Sequence, residues 1–413
     1  MTRDSHAPDS PYAYRRMALS LLISTIVCSG MWGVIVVLPA VQTEFGVDRG
    51  AASLPYTVMM LGLAFGTLVL GRLADRVGIA IPLMFAGALI GLGFVAAGLS
   101  PNLMTFSIAH ALLIGIGAGV GFGPMMADVS HWFVRRRGLA VVVVASGSYL
   151  AGAIWPLAIS TIMPWLGWRG AYIALGVFVA ATVIPLSLLM RRRPGAEVYA
   201  QAEAAARIAR ADVGVSPTLL VGLLVVAGFS CCVAMAMPQV HIVAYCGDLG
   251  YGVARGAEML SLMLGLGVVS RIASGFVADA IGSAATLVIG SFMQALALML
   301  YTVFNGLTSL FVVSALFGLF QGGIVPMYAI ICRELLPPRE AGEKIGLIVA
   351  ATIFGMAFGG YASGVIFDWT HSYRAAFING VLWNALNLAI VGWLLWRRRA
   401  VAPTVASLGG TTA

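Results

Sequence analysis

Charge is what this 413-residue chain has least of. Asp, Glu, Lys and Arg together make up 10% of it, where a soluble domain carries about 25%. With 60% hydrophobic residues and a mean hydropathy of +0.97, no water-soluble fold can hide so much apolar surface. That excludes a soluble enzyme or a free binding module and leaves a polytopic membrane protein. Cysteine is scarce too. Cys28, Cys231, Cys232, Cys246 and Cys332 have the spacing of neither a disulfide framework nor a metal site. There is no G-x-x-x-x-G-K-[ST] loop, no C-x-x-C and no H-E-x-x-H, so neither an ATP-driven pump nor a metalloenzyme finds its apparatus here. No cofactor, metal or nucleic-acid partner is expected.

What the chain does have is long apolar runs. Twelve are read as membrane helices: 17–38, 51–71, 79–99, 102–126, 138–162, 170–190, 217–240, 257–277, 283–303, 308–331, 344–366 and 374–396. Each approaches the roughly 20 residues a bilayer core requires. The runs 102–126 and 308–331 end in sequence broken by Gly and Pro. The first run is too long for a signal peptide and lacks a small-residue cleavage pattern. With the N-terminus inside, 19 Lys and Arg fall in cytoplasmic segments and 4 in outer loops, which puts both termini in the cytoplasm. The longest connection, 191–216, divides the chain into 1–190 and 217–413. Its stretch 203–210 is either a short helix on anionic headgroups or a solvated linker. The first dozen residues and the tail after Arg399 are expected to lack fixed structure.

One short pattern organises the rest. Gly71-Arg72-Leu73-Ala74-Asp75-Arg76-Val77-Gly78 is echoed 204 positions later by Gly275-Phe276-Val277-Ala278-Asp279-Ala280-Ile281-Gly282. Each copy joins two apolar runs, and an Asp in such surroundings belongs at the membrane face. The two copies point to a parallel internal repeat.

Twelve runs in a six-plus-six arrangement, with the G-x-x-x-D-[RK]-x-G turn after the second, resemble the major facilitator superfamily. Gly71, Asp75, Arg76 and Gly78 match its signature, while Ile79, Ala80 and Ile81 stand where basic residues are usual. The resemblance implies an all-α membrane protein of two pseudo-symmetric six-helix bundles. Asp75, Arg76 and Asp279 would then form a gating latch between the halves. Trp132-Phe133-Val134-Arg135-Arg136-Arg137-Gly138-Leu139-Ala140, running on to Ser146-Gly147, is similar to a signature of the monocarboxylate transporter family. Val142 and Val144 depart from it. Ser29-Gly30-Met31-Trp32-Gly33 resembles that family's opening motif with Ser29 in place of an acid. The run from His241 to Tyr245, with Asp248, Leu249 and Gly250, resembles its bacterial members, which implies a bacterial inner membrane.

Arg271 is the sharpest candidate residue. It follows an uncharged run from Met259 to Ser270 and lies eight residues before Asp279, about 12 Å along a helix. An ionisable residue inside a span points to function, the other readings being a snorkelling side chain or a structural pair. The resemblance implies that Arg271 binds a substrate carboxylate, which a guanidinium grips with two parallel hydrogen bonds. Its counterpart in the first repeat is Thr67. The acid that proton-coupled members carry one turn earlier is replaced by Gly267, and 345–366 holds no second cation. One buried positive charge favours a monoanion over a dianion, with the coupling ion, a proton included, left open.

Other polar residues are softer candidates. Ser29, Trp32, Tyr149, Gln321 and Tyr328 would line the substrate site, although each suits a helix–helix hydrogen bond equally. Asn384 has the same two readings, and Gln239 and His241 fall near the outer mouth. His110 is the candidate proton carrier, packing being its commoner role. Gly115, Gly117, Gly119, Gly121, Gly123 and Pro124 should bend their helix. The leading expectation is a secondary carrier of small organic monocarboxylates, working by alternating access between two six-helix halves, in contact with membrane lipid and needing no obligate protein partner. The alternatives are an exporter of lipophilic compounds, an organic anion exchanger, and a sensor that binds without transporting. No catalytic group of residues is present, so an enzyme is not expected.

Overall fold

Ser10-Pro11, Asp48-Arg49, Asn102-Leu103 and Ser216-Pro217 each place a side-chain acceptor at the edge of an apolar run. That is how helices begin. In the computed structural model each acceptor is a cap. Ser10 Oγ takes the amide of Ala13, Asp48 Oδ1 that of Ala51, Asn102 Oδ1 that of Thr105, and Ser216 Oγ that of Leu219. The structure describes residues 9–133, 136–192, 216–335 and 338–408, and among them the only regular structure is helix.

Eleven helical stretches are long and apolar enough to cross a membrane: α1 (Pro11–Phe45), α2 (Arg49–Val77), α3 (Ala80–Gly98), α4 (Leu103–Ser130), α5 (Gly138–Leu188), α6 (Pro217–Asp248), α7 (Val253–Ile281), α8 (Ser283–Val303), α9 (Leu307–Cys332), α10 (Lys344–Thr370) and α11 (Tyr373–Arg397). The expectation of twelve differs because α5 takes in both 138–162 and 170–190. It is 51 residues long, and in its Gly147–Leu188 part the residue with non-helical backbone angles is Gly167, at φ 66° and ψ 173°. In a hydrocarbon environment, helix satisfies every backbone donor and acceptor locally, so a glycine turn can join two apolar runs with almost no loop.

The expectations of missing structure at the two ends fall partly outside the described residues, at 1–8 and 409–413. The first helix starts at Pro11, and the amide of Asp9 already donates to Trp132 O. Arg16 explains the anchorage. It is buried, binds both oxygens of Asp128 at 2.9 and 2.8 Å, donates to Met190 O and Tyr12 Oη, and lies 4.8 Å from the Trp132 ring. Trp132 and Phe133 of the aromatic-basic signature thus clamp the N-terminal helix, Phe133 meeting Tyr14 edge-on at 5.1 Å. At the other end, the last helix continues past Arg399 to Leu408. The suggested surface helix 203–210 lies outside the described residues.

The internal repeat is visible in the backbone. Helices α2 and α7 are each 29 residues long, and they begin and end 204 positions apart. Both stop at a glycine of positive φ, Gly78 at 85° and Gly282 at 89°, a conformation open to glycine at little cost. Each glycine amide closes on the carbonyl four residues back, Ala74 O and Ala278 O, at 2.8 Å. The glycine run in α4 bends as its composition requires. A wide turn covers Ala109–Gly115, a tight one Gly119–Gly121, and the backbone swings at Phe122. Gly115 and Gly119 leave room there for the backbone of α2 at Met59, Gly66 and Thr67.

All five cysteines are free and buried, so they can be replaced to give a thiol-free background. Single cysteines at Thr43 or Ala254 should then react with an impermeant thiol reagent added outside intact cells, and a cysteine at Arg191 should not. The reverse pattern would invert the orientation inferred from the charge bias.

Candidate functional site

Arg271 is 6% exposed and sits where α7 meets both α9 and α5. Its Nε donates to Gly322 O of α9 at 3.1 Å and its Nη1 to Ala145 O of α5 at 2.7 Å. The guanidinium carbon is 4.2 Å from the centre of the Tyr149 ring. The repeat separates two roles for this side chain. The hydroxyl of Thr67, its counterpart, lies 2.8 Å from Leu63 O of its own helix and 3.1 Å from Gly119 O of α4. A hydroxyl at this position is thus within reach of the neighbouring helix without a charge. The reach of Nη1 and the ring stacking go further, from a C-terminal helix to an N-terminal one, and only a long cationic side chain makes them.

Gly267 explains what stands in for the missing acid. A Cβ at this position would overlap the Tyr149 ring, so the space one turn before Arg271 is filled by an aromatic from α5. The cation faces a π surface and two carbonyls. Among the described residues no carboxylate is paired with it.

The interior also holds polar atoms with no protein partner. Gln239 Nε2 of α6 donates to Gln321 Oε1 of α9 at 2.7 Å, both residues being buried. Gln239 Oε1, Gln321 Nε2, Ser29 Oγ and Tyr56 Oη are unmatched. Tyr56 packs over Gly360 of α10, which also abuts Val240, the neighbour of Gln239. The sequence places Gln239 at the outer mouth, whereas in the fold it pairs with Gln321. Tyr56 was missed because a Tyr inside an apolar run carries no distinguishing local signal.

Other candidates are placed elsewhere. Trp32 Nε1 donates to Ser148 O, locking α1 to α5. Tyr328 Oη donates to Asn387 Oδ1 at 2.6 Å, while Asn387 and Asn384 hold Ser291 of α8. That network ties α8, α9 and α11 together. Both nitrogens of His110 are engaged within the N-terminal helices, Nδ1 with Phe106 O and Nε2 with Tyr172 Oη. Asp75, Arg76 and Asp279 are exposed. Asp75 lines a groove of about 400 Å³ with Gly71, Gly123, Asp128, His131 and Arg192.

A latch is present at the opposite end of α2. Arg49, 6% exposed, binds both oxygens of Asp248 on α6 at 2.9 and 3.0 Å. Asp368 at the end of α10 accepts the backbone amides of Arg49 at 2.9 Å and Gly50 at 2.6 Å. The first turn of a helix has free amides and a positive dipole end, and here another helix's carboxylate occupies them. The approach requires glycine on both sides. A Cβ on Gly50 would sit 2.9 Å from Asp368 Oδ2, and one on Gly364 would sit 3.0 Å from Arg49 O. The Arg49 guanidinium also lies 5.2 Å from the Phe367 ring. In the sequence Arg49 is one of a few outer-loop cations, and its partners lie 199 and 319 residues away.

Residues 20–309 and 266–412 match the Major Facilitator Superfamily. The chain belongs to that superfamily. Among its curated relatives, monocarboxylate transporter 13 of Bos taurus is 27% identical over 385 residues, covering 84% of this chain and 86% of that one. The MFS-type transporter YcxA of Bacillus subtilis (strain 168) is 25% identical over 344 residues, covering 80% and 82%. Of solved structures, a bacterial homolog to the human lysosomal transporter Spinster, inward-facing and occupied, superposes with a TM-score of 0.71 at 13% identity, covering 95% and 96% of the two chains.

Asp368→Ala removes an ionised acceptor from two amides, an interaction worth about 1.5–3 kcal/mol for a charged hydrogen bond. It should shift the population toward opening at this end by roughly tenfold or more. Spin labels at Thr43 and Ala254, measured by pulsed electron resonance, should show a new long-distance component. An unchanged distance distribution would show that the latch does not hold this end closed.

Proposed function

We propose that the chain is a secondary carrier of small organic monocarboxylates, working by alternating access between two six-helix halves, 1–190 and 217–413, joined by 191–216. Dividing α5 at Gly167 gives the twelve spans of this arrangement. The observation that carries the reading is Arg271: a buried cation in a membrane-embedded helix that reaches from one half to the other. A carboxylate that displaces the Ala145 carbonyl from Nη1 would couple substrate binding to the contact between halves, which is what a carrier requires. One cation matches one carboxylate, and a second carboxylate would be desolvated without a partner. The relative named a monocarboxylate transporter supports the same substrate class.

With both termini in the cytoplasm of a bacterial inner membrane, the Arg49 latch closes the outer end. Asp75, Arg76 and Asp279 gate the inner end, and the groove beside Asp75 is the surface on which that gate closes. Ser29, Tyr149 and Gln321 line the site with Arg271. Trp32 and Tyr328 support it from behind by fixing α1 on α5 and α9 on α11. Co-transport of a proton would run through a group other than residue 267; His110 is the candidate, although its two nitrogens are bonded within one half. Exchange of one anion for another is the alternative.

Three substitutions test the reading by calorimetry on purified protein. Arg271→Thr keeps a hydroxyl within reach of the neighbouring helix, as Thr67 has in the first repeat, and removes the charge. It should leave the fold intact and weaken carboxylate binding by about 100-fold or more, because a buried carboxylate without its partner costs several kcal/mol. Arg271→Gln should behave alike. Arg271→Lys should be intermediate, since a point charge cannot supply two parallel hydrogen bonds. Ordinary carboxylate affinity in folded Arg271→Thr would leave Arg271 a structural residue. Continued transport of neutral solutes by the same variant would favour the exporter of lipophilic compounds.

A further inference from the structure

The outer latch leaves buried polar atoms unmatched on three helices. The side chain of Arg49, on α2, uses only Nη2, which binds Asp248, and its Nε and Nη1 have no acceptor. Tyr373, the first residue of α11, has an unmatched hydroxyl, and His241 of α6 has an unmatched Nδ1. All three side chains are buried, His241 completely. The Tyr373 ring lies beside both of the others. The Arg49 guanidinium carbon is 5.9 Å from its centre, and the His241 ring centre is 5.6 Å from it.

The hydrogen-bond pattern assigns the ring proton of His241. Nε2 lies 2.8 Å from Gly360 O of α10. A carbonyl only accepts, so Nε2 carries the hydrogen and Nδ1 is a bare basic nitrogen. His110 differs, since both of its nitrogens are engaged. The charged and titratable groups facing His241 are Arg49 and Tyr56 of α2, Asp368 of α10, Tyr373 of α11, and Tyr245 and Asp248 of α6. Asp248 is held by Arg49, and Asp368 by the amides of Arg49 and Gly50. Arg255 and Glu258 of α7 pair with each other at the surface. Among the described residues no carboxylate bonds to the imidazole. A proton added to Nδ1 in this closed arrangement is a buried N–H without an acceptor. Its charge also faces the like charge of Arg49 past the Tyr373 ring.

We infer that His241 is a proton-binding site of the outer gate, taking a proton from the outer solution onto Nδ1, and that its occupancy favours the open arrangement. The inference rests on the reading of the Arg49 cluster as the latch of the outer end. His241 bonds to Gly360 O, and Tyr56 of α2 packs 3.1 Å from the Cβ position of that same residue. One turn on, Gly364 meets Arg49 O and Gly50. Helix α10 is thus gripped by His241 on one side and by α2 on the other. When α2 leaves α10, Arg49 goes with it and water reaches Nδ1. The imidazolium then loses its like-charged neighbour and gains an acceptor. The proton therefore binds the open arrangement more tightly, and by linkage it shifts the gate the same way. The step forms one N–H bond, moves no electrons between centres and needs only a proton from water.

The test is the distance between spin labels at Thr43 and Ala254 in the purified full-length chain, followed from about pH 8 to about pH 5.5. Imidazoles titrate in this range and ordinary carboxylates do not. In wild type the open component should grow by about fivefold or more as the pH falls. His241→Gln keeps an amide donor for Gly360 O and cannot titrate, so its distances should not respond. His371→Gln removes the exposed histidine of the same end and should respond like wild type. Asp368→Ala is the control for the latch itself. If it opens the outer end while wild type shows no pH response, the inference is overturned and the latch stands. If it opens nothing, both are overturned. A response that survives in folded His241→Gln, or vanishes in His371→Gln, would take the proton away from His241. Should His241→Gln not fold, the wild-type and His371→Gln titrations decide.

Discussion

A bilayer core supplies no hydrogen bonds, and every polar group carried into it must find a partner within the chain or bring one in. The backbone meets this demand through helix alone among the described residues. The side chains meet it less completely, and the places where they fall short are informative. The interior splits into networks that close on themselves and clusters that do not. Tyr328, Asn384, Asn387 and Ser291 close a network that ties α8, α9 and α11 together. Gln239, Gln321, Ser29 and Tyr56 retain unmatched atoms. A sequence cannot tell these two kinds of buried polar residue apart, because all of them are isolated polar residues in apolar runs.

The fold was largely legible for that same reason. Apolar run length and the bias of arginine to one side predicted membrane helices and their order, and the paired Asp75 and Asp279 turns predicted a repeat that α2 and α7 follow in length and in register. The discrepancy at α5 is instructive. A twelve-run reading assumes that a reversal needs a loop, whereas Gly167 interrupts the helix within one residue. The anchor of the first helix has no local trace either, because Asp128 lies 112 residues from Arg16.

The site was legible only in part. Arg271 stood out because it is a lone charge in an uncharged run. Its contact with Ala145 and the filling of Gly267 by Tyr149 are tertiary facts with no local trace. The same holds for the latch. Asp48, Arg49 and Gly50 look like an ordinary capped helix start, and only the fold brings Asp368 onto its amides. Thr67 gave the most useful comparison, since the repeat supplies a natural control for what position 271 does when it bears no charge.

The latch also makes water a reactant. In the closed arrangement two main-chain amides, a carboxylate and most of a guanidinium are withdrawn from solvent against one another and against the Phe367 ring. Separating α2 from α10 exposes all of them, and each must be hydrated before the separation is complete. The balance between closed and open arrangements therefore depends on water activity as well as on solute concentration. Excluded osmolytes would favour the closed arrangement over one in which these groups are hydrated.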